Sequence, residues 1–122
     1  MQTDDLVCDV DDIYSAISGN DAHDADLYVH EVALELRQHL LDIIRDRKGG
    51  WKNAFVPSIA NTAEQVRAEA ERIKADEIVF IDTPYEVCME RTKDRPDYFR
   101  WLIAEWFETR GDDLEQCADR TE

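Results

Sequence analysis

Four glycines, three prolines and three cysteines are all that this 122-residue chain carries of the residues that punctuate or staple a fold. The glycines are Gly19, Gly49, Gly50 and Gly111, and none of them opens a G-x-x-x-x-G-K-[ST] segment. That excludes the loop whose backbone N–H groups cradle nucleotide phosphates. Cys8, Cys88 and Cys117 are odd in number, far apart and without a C-x-x-C pair, which excludes a disulfide framework and points to reduced, buried thiols. No apolar run approaches the roughly 18 residues of a membrane span. The opening MQTDDLVCDV has neither the basic region nor the apolar core of a secretory signal, so the expected location is the cytoplasm.

Positive charge is scarce as well. Lys and Arg number 14 against 29 Asp and Glu, a net charge of −15. Residues 1–47 hold 12 acids and 3 bases, residues 48–110 hold 12 and 10, and residues 111–122 hold 5 and 1. Such a field repels nucleic acid and attracts basic surfaces. Direct DNA or RNA binding is therefore excluded as an expectation, and a basic protein partner is favoured over a membrane. A solvated acidic surface that keeps the chain soluble accounts for the same charge equally well.

What is present is a regular alternation of apolar patterns. LVCDV (6–10), NAFVPSIAN (53–61) and EIVFID (77–82) read as strands. Pro57 shortens the second or places it at an edge, and the apolar run of the third suggests burial on both faces. Helices are expected over 11–18, 24–47, 62–74, 84–93 and 97–110. The first has an Asp near its start and Gly19 at its end. In the second, Val29, Val32, Leu36, Leu40, Ile43 and Ile44 form an apolar stripe. Ala63, Val66, Ala70 and Ile73 line the third, capped by Thr62. Phe99, Leu102, Ile103, Trp106 and Phe107 line the last, with Tyr98 and Trp101 toward its other face. The expected fold is α/β: a small, mostly parallel sheet with helices packed on it. The expected organisation is a single domain over 1–110 and an acidic tail over 111–122, either a short helix or a frayed end.

Three stretches carry a resemblance. LVCDVDDIYSAISG (6–19) resembles the second strand and following helix of small phage and prophage AAA/P-loop kinase-like proteins. EIVFIDTPYEVCMERTKDRP (77–96) is similar to their later strand and the helix leading to an Arg-bearing lid loop. DYFRWLIAEWFE (97–108) is similar to their C-terminal aromatic helix. The resemblance implies a P-loop-kinase-like fold that lacks its N-terminal strand and Walker A loop. The nearest imitation of that loop, GGWKN (49–53), has neither the spacing nor the hydroxyl. Phosphoryl transfer rests on positioning and electrostatics, so the chain is not expected to be an enzyme by itself or to hold a cofactor.

Several residues still invite a chemical reading. Asp9, Asp11 and Asp12 follow a strand end, where α/β proteins bind ligands and carboxylates suit Mg²⁺; helix capping and surface charge explain them as well. Arg91, Lys93 and Arg95 match the lid position in the resembling kinases, yet Glu90, Asp94 and Asp97 offer them local partners. His23, His30 and the three cysteines leave a metal site unassigned.

The function expected from this balance is that of a non-catalytic, acidic phage-type protein. It would inhibit a host nucleic-acid-binding enzyme such as a nuclease, in the manner of anti-CRISPR proteins and other DNA mimics, with carboxylates standing in for phosphates. The contact residues expected are Asp4, Asp5, Asp11, Asp12, Asp21, Asp24, Asp26, Glu31, Glu35, Asp112, Asp113 and Glu115. The alternative is a fragment or subunit of a P-loop nucleotide kinase whose phosphate loop is supplied elsewhere. In either case the sheet edge exposed by the missing strand needs a cover, and a homodimer is one way to provide it.

Overall fold

Strands and helices alternate as the apolar pattern requires, but the strands are very short. The computed structural model describes residues 4–19, 27–95 and 97–122. Its elements are β1 (Leu6–Val7), α1 (Val10–Ser18), α2 (Leu27–Arg45), β2 (Ala54–Phe55), α3 (Ala63–Ile73), β3 (Val79–Phe80), α4 (Tyr85–Arg91), α5 (Asp97–Thr109), a 3₁₀ turn (Leu114–Cys117) and β4 (Arg120–Thr121). The chain divides into two units. The first is Met1–Ser58 with Arg72–Lys74, and the second is Ile59–Glu71 with Ala75–Glu122.

In the first unit β1 and β2 pair in parallel, Leu6 opposite Ala54 and Val7 opposite Phe55. The N–H of Leu6 donates to the Asn53 carbonyl (2.8 Å) and that of Cys8 to the Phe55 carbonyl (2.9 Å). Each strand stops where its sequence stops it. Asp9 turns the chain from β1 into α1: its carboxylate accepts the Asp11 N–H at 2.9 Å, the bond of a helix N-cap. Gly19 closes α1 with φ +74°, a conformation that favours glycine. Pro57, two residues past β2, has no N–H to offer a ladder.

The core of this unit is Cys8, Leu41 and Ile44, with Leu6, Leu40, Trp51, Ala54, Val56 and Ile73 packed against it. Tyr14, at 1% exposure, and Ala33 are also buried. The apolar stripe expected on α2 is therefore rotated. Ala33, Leu41 and Ile44 form its buried line, while Val32 (52% exposed) and Leu36 (42%) face outward. The reason lies in the helix itself: its apolar residues span more than half the circumference at 100° per residue, and the unit covers only part of that arc.

Helix α2 ends at Arg45, short of Gly49. Arg47 takes the left-handed conformation (φ +54°) that terminates it. Its N–H donates to the Ile44 carbonyl, and the Lys48 N–H to the Ile43 carbonyl, both at 3.1 Å. The Arg47 guanidinium also donates to the carbonyls of Ile44 (2.5 Å), Ile73 (3.1 Å) and Lys74 (2.6 Å). One cation thus serves the negative ends of two helix dipoles, which is why a residue with a Cβ occupies that conformation.

In the second unit β3 and β4 form another parallel pair, Val79 opposite Arg120 and Phe80 opposite Thr121. The C-terminal segment, read from sequence as polar tail, thus contributes a strand, and Leu114 is buried. The full burial expected for EIVFID is not reached: Val79 and Phe80 are half-buried and Ile81 is exposed. Among the described residues β3 has one strand neighbour, so the strand is not enclosed as in a larger parallel sheet. Helix α3 starts as expected. The Thr62 hydroxyl accepts the Gln65 N–H at 3.2 Å. The single small sheet expected from sequence is thus replaced by two parallel strand pairs.

Candidate interaction surface

The acid-rich segments sit mainly on helix surfaces. With Asp9 engaged as the cap of α1, Asp11 and Asp12 occupy its exposed first turn. Glu31 and Glu35 lie one turn apart on the exposed face of α2. Asp112 and Asp113 are exposed on the turn ahead of the 3₁₀ segment in the second unit. None of these six carboxylates forms an ion pair among the described residues.

The remaining expected contacts are placed differently. Asp4 pairs with Lys52 at 3.3 Å. Asp5 accepts the side-chain N–H of Asn53 at 3.1 Å. Glu115 meets Arg110 at 3.3 Å. These three have local structural partners and are less available to an outside cation. Asp21, Asp24 and Asp26 lie outside the described residues, as does His23. The expected contact set therefore falls into separate groups, one in each unit.

Many of the bases are already engaged. Arg45 forks onto Asp46 at 3.0 and 3.1 Å and reaches Asp42 at 3.3 Å. The hydrogen-bonded pair holds the Asp46 carboxyl below its ordinary range. Arg72 also meets Asp42, at 2.8 Å. Arg120 pairs with Glu77 and Glu122. These pairs lie near the surface and add little stability each. Their effect on the field is greater, because they leave the excess carboxylates as the charge presented to solvent.

Residues suggested by the kinase resemblance are placed as follows. Lys93 pairs with Glu90 at 2.8 Å. The Arg95 guanidinium lies over the Phe99 ring, 5.5 Å from its centroid, rather than on Asp94 or Asp97. Arg91 is exposed. In GGWKN, the Trp51 indole N–H donates to the Lys48 carbonyl at 2.6 Å and Lys52 is the partner of Asp4. Among the described residues, no three of His, Cys, Asp and Glu are grouped to hold a metal ion. His30 packs beside Tyr14 instead, ring centroids 6.3 Å apart. No described helix is long and apolar enough to cross a membrane.

All three cysteines are free thiols. Cys8 is fully buried, and burial pushes its thiol above the ordinary value of 9.0; Arg37 pulls it down and Asp9 pushes it up. The folded chain then keeps a proton that the unfolded chain loses. The Cys8 contribution to stability is complete below pH 9.0 and is lost as pH rises through the raised value. Urea unfolding followed from about pH 8 to about pH 10 is expected to show a steeper loss in the native chain than in Cys8→Ala. Parallel curves would contradict this.

The last helix holds a further group. Tyr98 and Trp101 stand 62% and 59% exposed, rings nearly parallel at 19° with centroids 6.4 Å apart. Asp97, Glu105 and Glu108 share that side of α5 by helical spacing and are exposed too. The expected contact set omitted these three acids. Their spacing from Trp101, at four before and at four and seven after, was the signal that could have found them.

No family model, curated protein or solved structure matches this chain.

Proposed function

We propose that this chain acts by binding a basic protein and not by catalysis: it occupies the basic groove of a cytoplasmic nucleic-acid enzyme, a nuclease for instance, as a carboxylate-bearing DNA mimic. The observation that carries the reading is the set of exposed carboxylates at Asp11, Asp12, Glu31, Glu35, Asp112 and Asp113, none of them ion-paired among the described residues. Carboxylates of this kind meet Lys and Arg side chains evolved for phosphate, and the affinity they give falls with salt for the same reason that DNA affinity does. Inhibition then follows from occupancy alone, with no bond made or broken.

The test is a six-site amide variant, with Asn for each Asp and Gln for each Glu of that set. Captured on beads from the natural host at low salt, the native chain is expected to retain a nucleic-acid enzyme. The variant is expected to lose it by about a hundredfold or more, since each lost contact at a partly exposed site weakens binding a few-fold. Equal retention by both proteins would end the proposal.

One observation favours a second reading, in which the chain is a subunit or part of a P-loop nucleotide kinase. Among the described residues each of its parallel sheets has two strands, whereas parallel sheets are ordinarily larger and covered on both faces. On that reading a strand and phosphate loop come from elsewhere. Nucleotide and a glycine-rich P-loop protein would then appear in the eluate, and Asp9→Ala or Arg91→Ala would abolish nucleotide retention.

A further inference from the structure

We infer that the exposed side of α5 is the docking site for an arginine-bearing segment of the basic partner, with Trp101 as stacking platform and Asp97, Glu105 and Glu108 as charge partners; this rests on the acidic-binder reading and names its anchor. Three observations meet on this one helix. The first is exposure. Two large aromatic rings stand side by side and mostly uncovered, and Trp and Tyr are the residues on which interface energy concentrates.

The second is the state of the indoles. The N–H of Trp51 donates to the Lys48 carbonyl and that of Trp106 to the Ile59 carbonyl, at 2.6 and 2.7 Å. Among the described residues the Trp101 N–H has no such acceptor. Of the three tryptophans, two are tied into the fold and one is presented. Tyr98 lies alongside its ring, nearly parallel to it, so the two present adjacent aromatic faces to a partner.

The third is charge. Asp97 and Glu105 lie one turn before and one turn after Trp101, and Glu108 lies a further turn on. None of the three is ion-paired among the described residues. Arg95, the base just ahead of the helix, is turned onto Phe99. Aromatic faces alone would also take a nucleic-acid base, but three carboxylates, which outnumber Arg100 as the one base on α5, repel the phosphates that come with it. They favour a cation, and the flat guanidinium of arginine fits an indole face and a carboxylate together better than an ammonium does.

The experiment titrates the purified full chain, by calorimetry at low salt, with two peptides of alternating glycine. One carries six arginines and the other six lysines. The native chain is expected to prefer the arginine peptide. Tyr98→Ala with Trp101→Ala is expected to weaken that peptide about tenfold and to erase the preference, in line with cation–π contributions at exposed sites. Trp101→Phe should keep part of it. Glu105→Gln with Glu108→Gln should weaken both peptides. Both aromatic side chains are exposed, and far-UV circular dichroism checks that the variants are folded. An unchanged affinity and preference in the aromatic double variant would overturn the inference. Its failure separates from that of the parent reading by capture from host extract. If the aromatic variant holds the enzyme and the six-site amide variant loses it, the anchor is wrong and the acidic reading stands. If both variants hold it, both are wrong.

Discussion

Tyr14→Ala is expected to destabilise the first unit by about 3–5 kcal/mol, the range for deleting a buried aromatic side chain. Among the described residues Tyr14 is one of the two largest side chains that are completely enclosed, and it reaches from α1 to the His30 ring of α2. Removing its ring takes away apolar area and leaves a cavity whose lining cannot fully collapse. For a fold of ordinary stability that is a large fraction of the total. The control lies on the same pair of helices. Val32→Ala and Leu36→Ala are expected to cost less than about 1 kcal/mol each, because those side chains already face solvent. Urea unfolding monitored by circular dichroism measures all three. If Leu36→Ala proved as costly as Tyr14→Ala, the buried side of α2 would be the stripe expected from sequence and not the line of Ala33, Leu41 and Ile44.

The second large effect separates two tryptophans five residues apart. Trp106→Ala is expected to cost the second unit about 3 kcal/mol or more, and Trp101→Ala about 0.5 kcal/mol or less. Trp106 is half-buried and donates its indole N–H to the Ile59 carbonyl at 2.7 Å. Phe107 meets its ring edge-on with centroids 5.0 Å apart, and the Arg110 guanidinium lies 5.6 Å from its centre. The alanine variant loses the packing and leaves a carbonyl without its donor. Trp101 is 59% exposed, with the Tyr98 ring alongside it. Thermal unfolding of the two variants gives the comparison directly. Equal losses would mean that Trp101 belongs to the core and cannot serve as an anchor.

Much of the fold was legible because the relevant signals are local. Thr62 and Gly19 act within one turn of where they stand in sequence, and each takes the expected role, whereas the cap of α1 is Asp9, inside the segment read as strand. The inner sides of α3 and α5 follow the 3.6-residue period, and Val66, Ile73, Leu102 and Phe107 are at least half-buried as expected. What could not be read depended on distant partners. The rotation of α2 follows from how much of its wide apolar arc a small unit covers. Arg47 ends that helix two residues before the glycines because its guanidinium finds the carbonyls of Ile73 and Lys74, 26 and 27 residues away. The pairing of Arg120–Thr121 with β3 was hidden because those polar residues carry no strand pattern of their own. The candidate surface was half legible. Asp11, Asp12, Glu31 and Glu35 are exposed as expected, whereas Asp4 and Glu115 turned out to have ion-pair partners. Composition counts charges; only three-dimensional structure says which are already neutralised.

The central claim, a carboxylate surface that takes the place of nucleic acid, is tested most directly by capture at two ionic strengths. The tagged chain is incubated with extract of its natural host at low and at high salt, and the retained proteins are identified by mass spectrometry. Recovery of a basic nucleic-acid enzyme at low salt, its loss at high salt, and its release by added duplex DNA is the result expected. Retention that salt and DNA leave unchanged, or an eluate holding nucleotide and a P-loop subunit in place of such an enzyme, would contradict it.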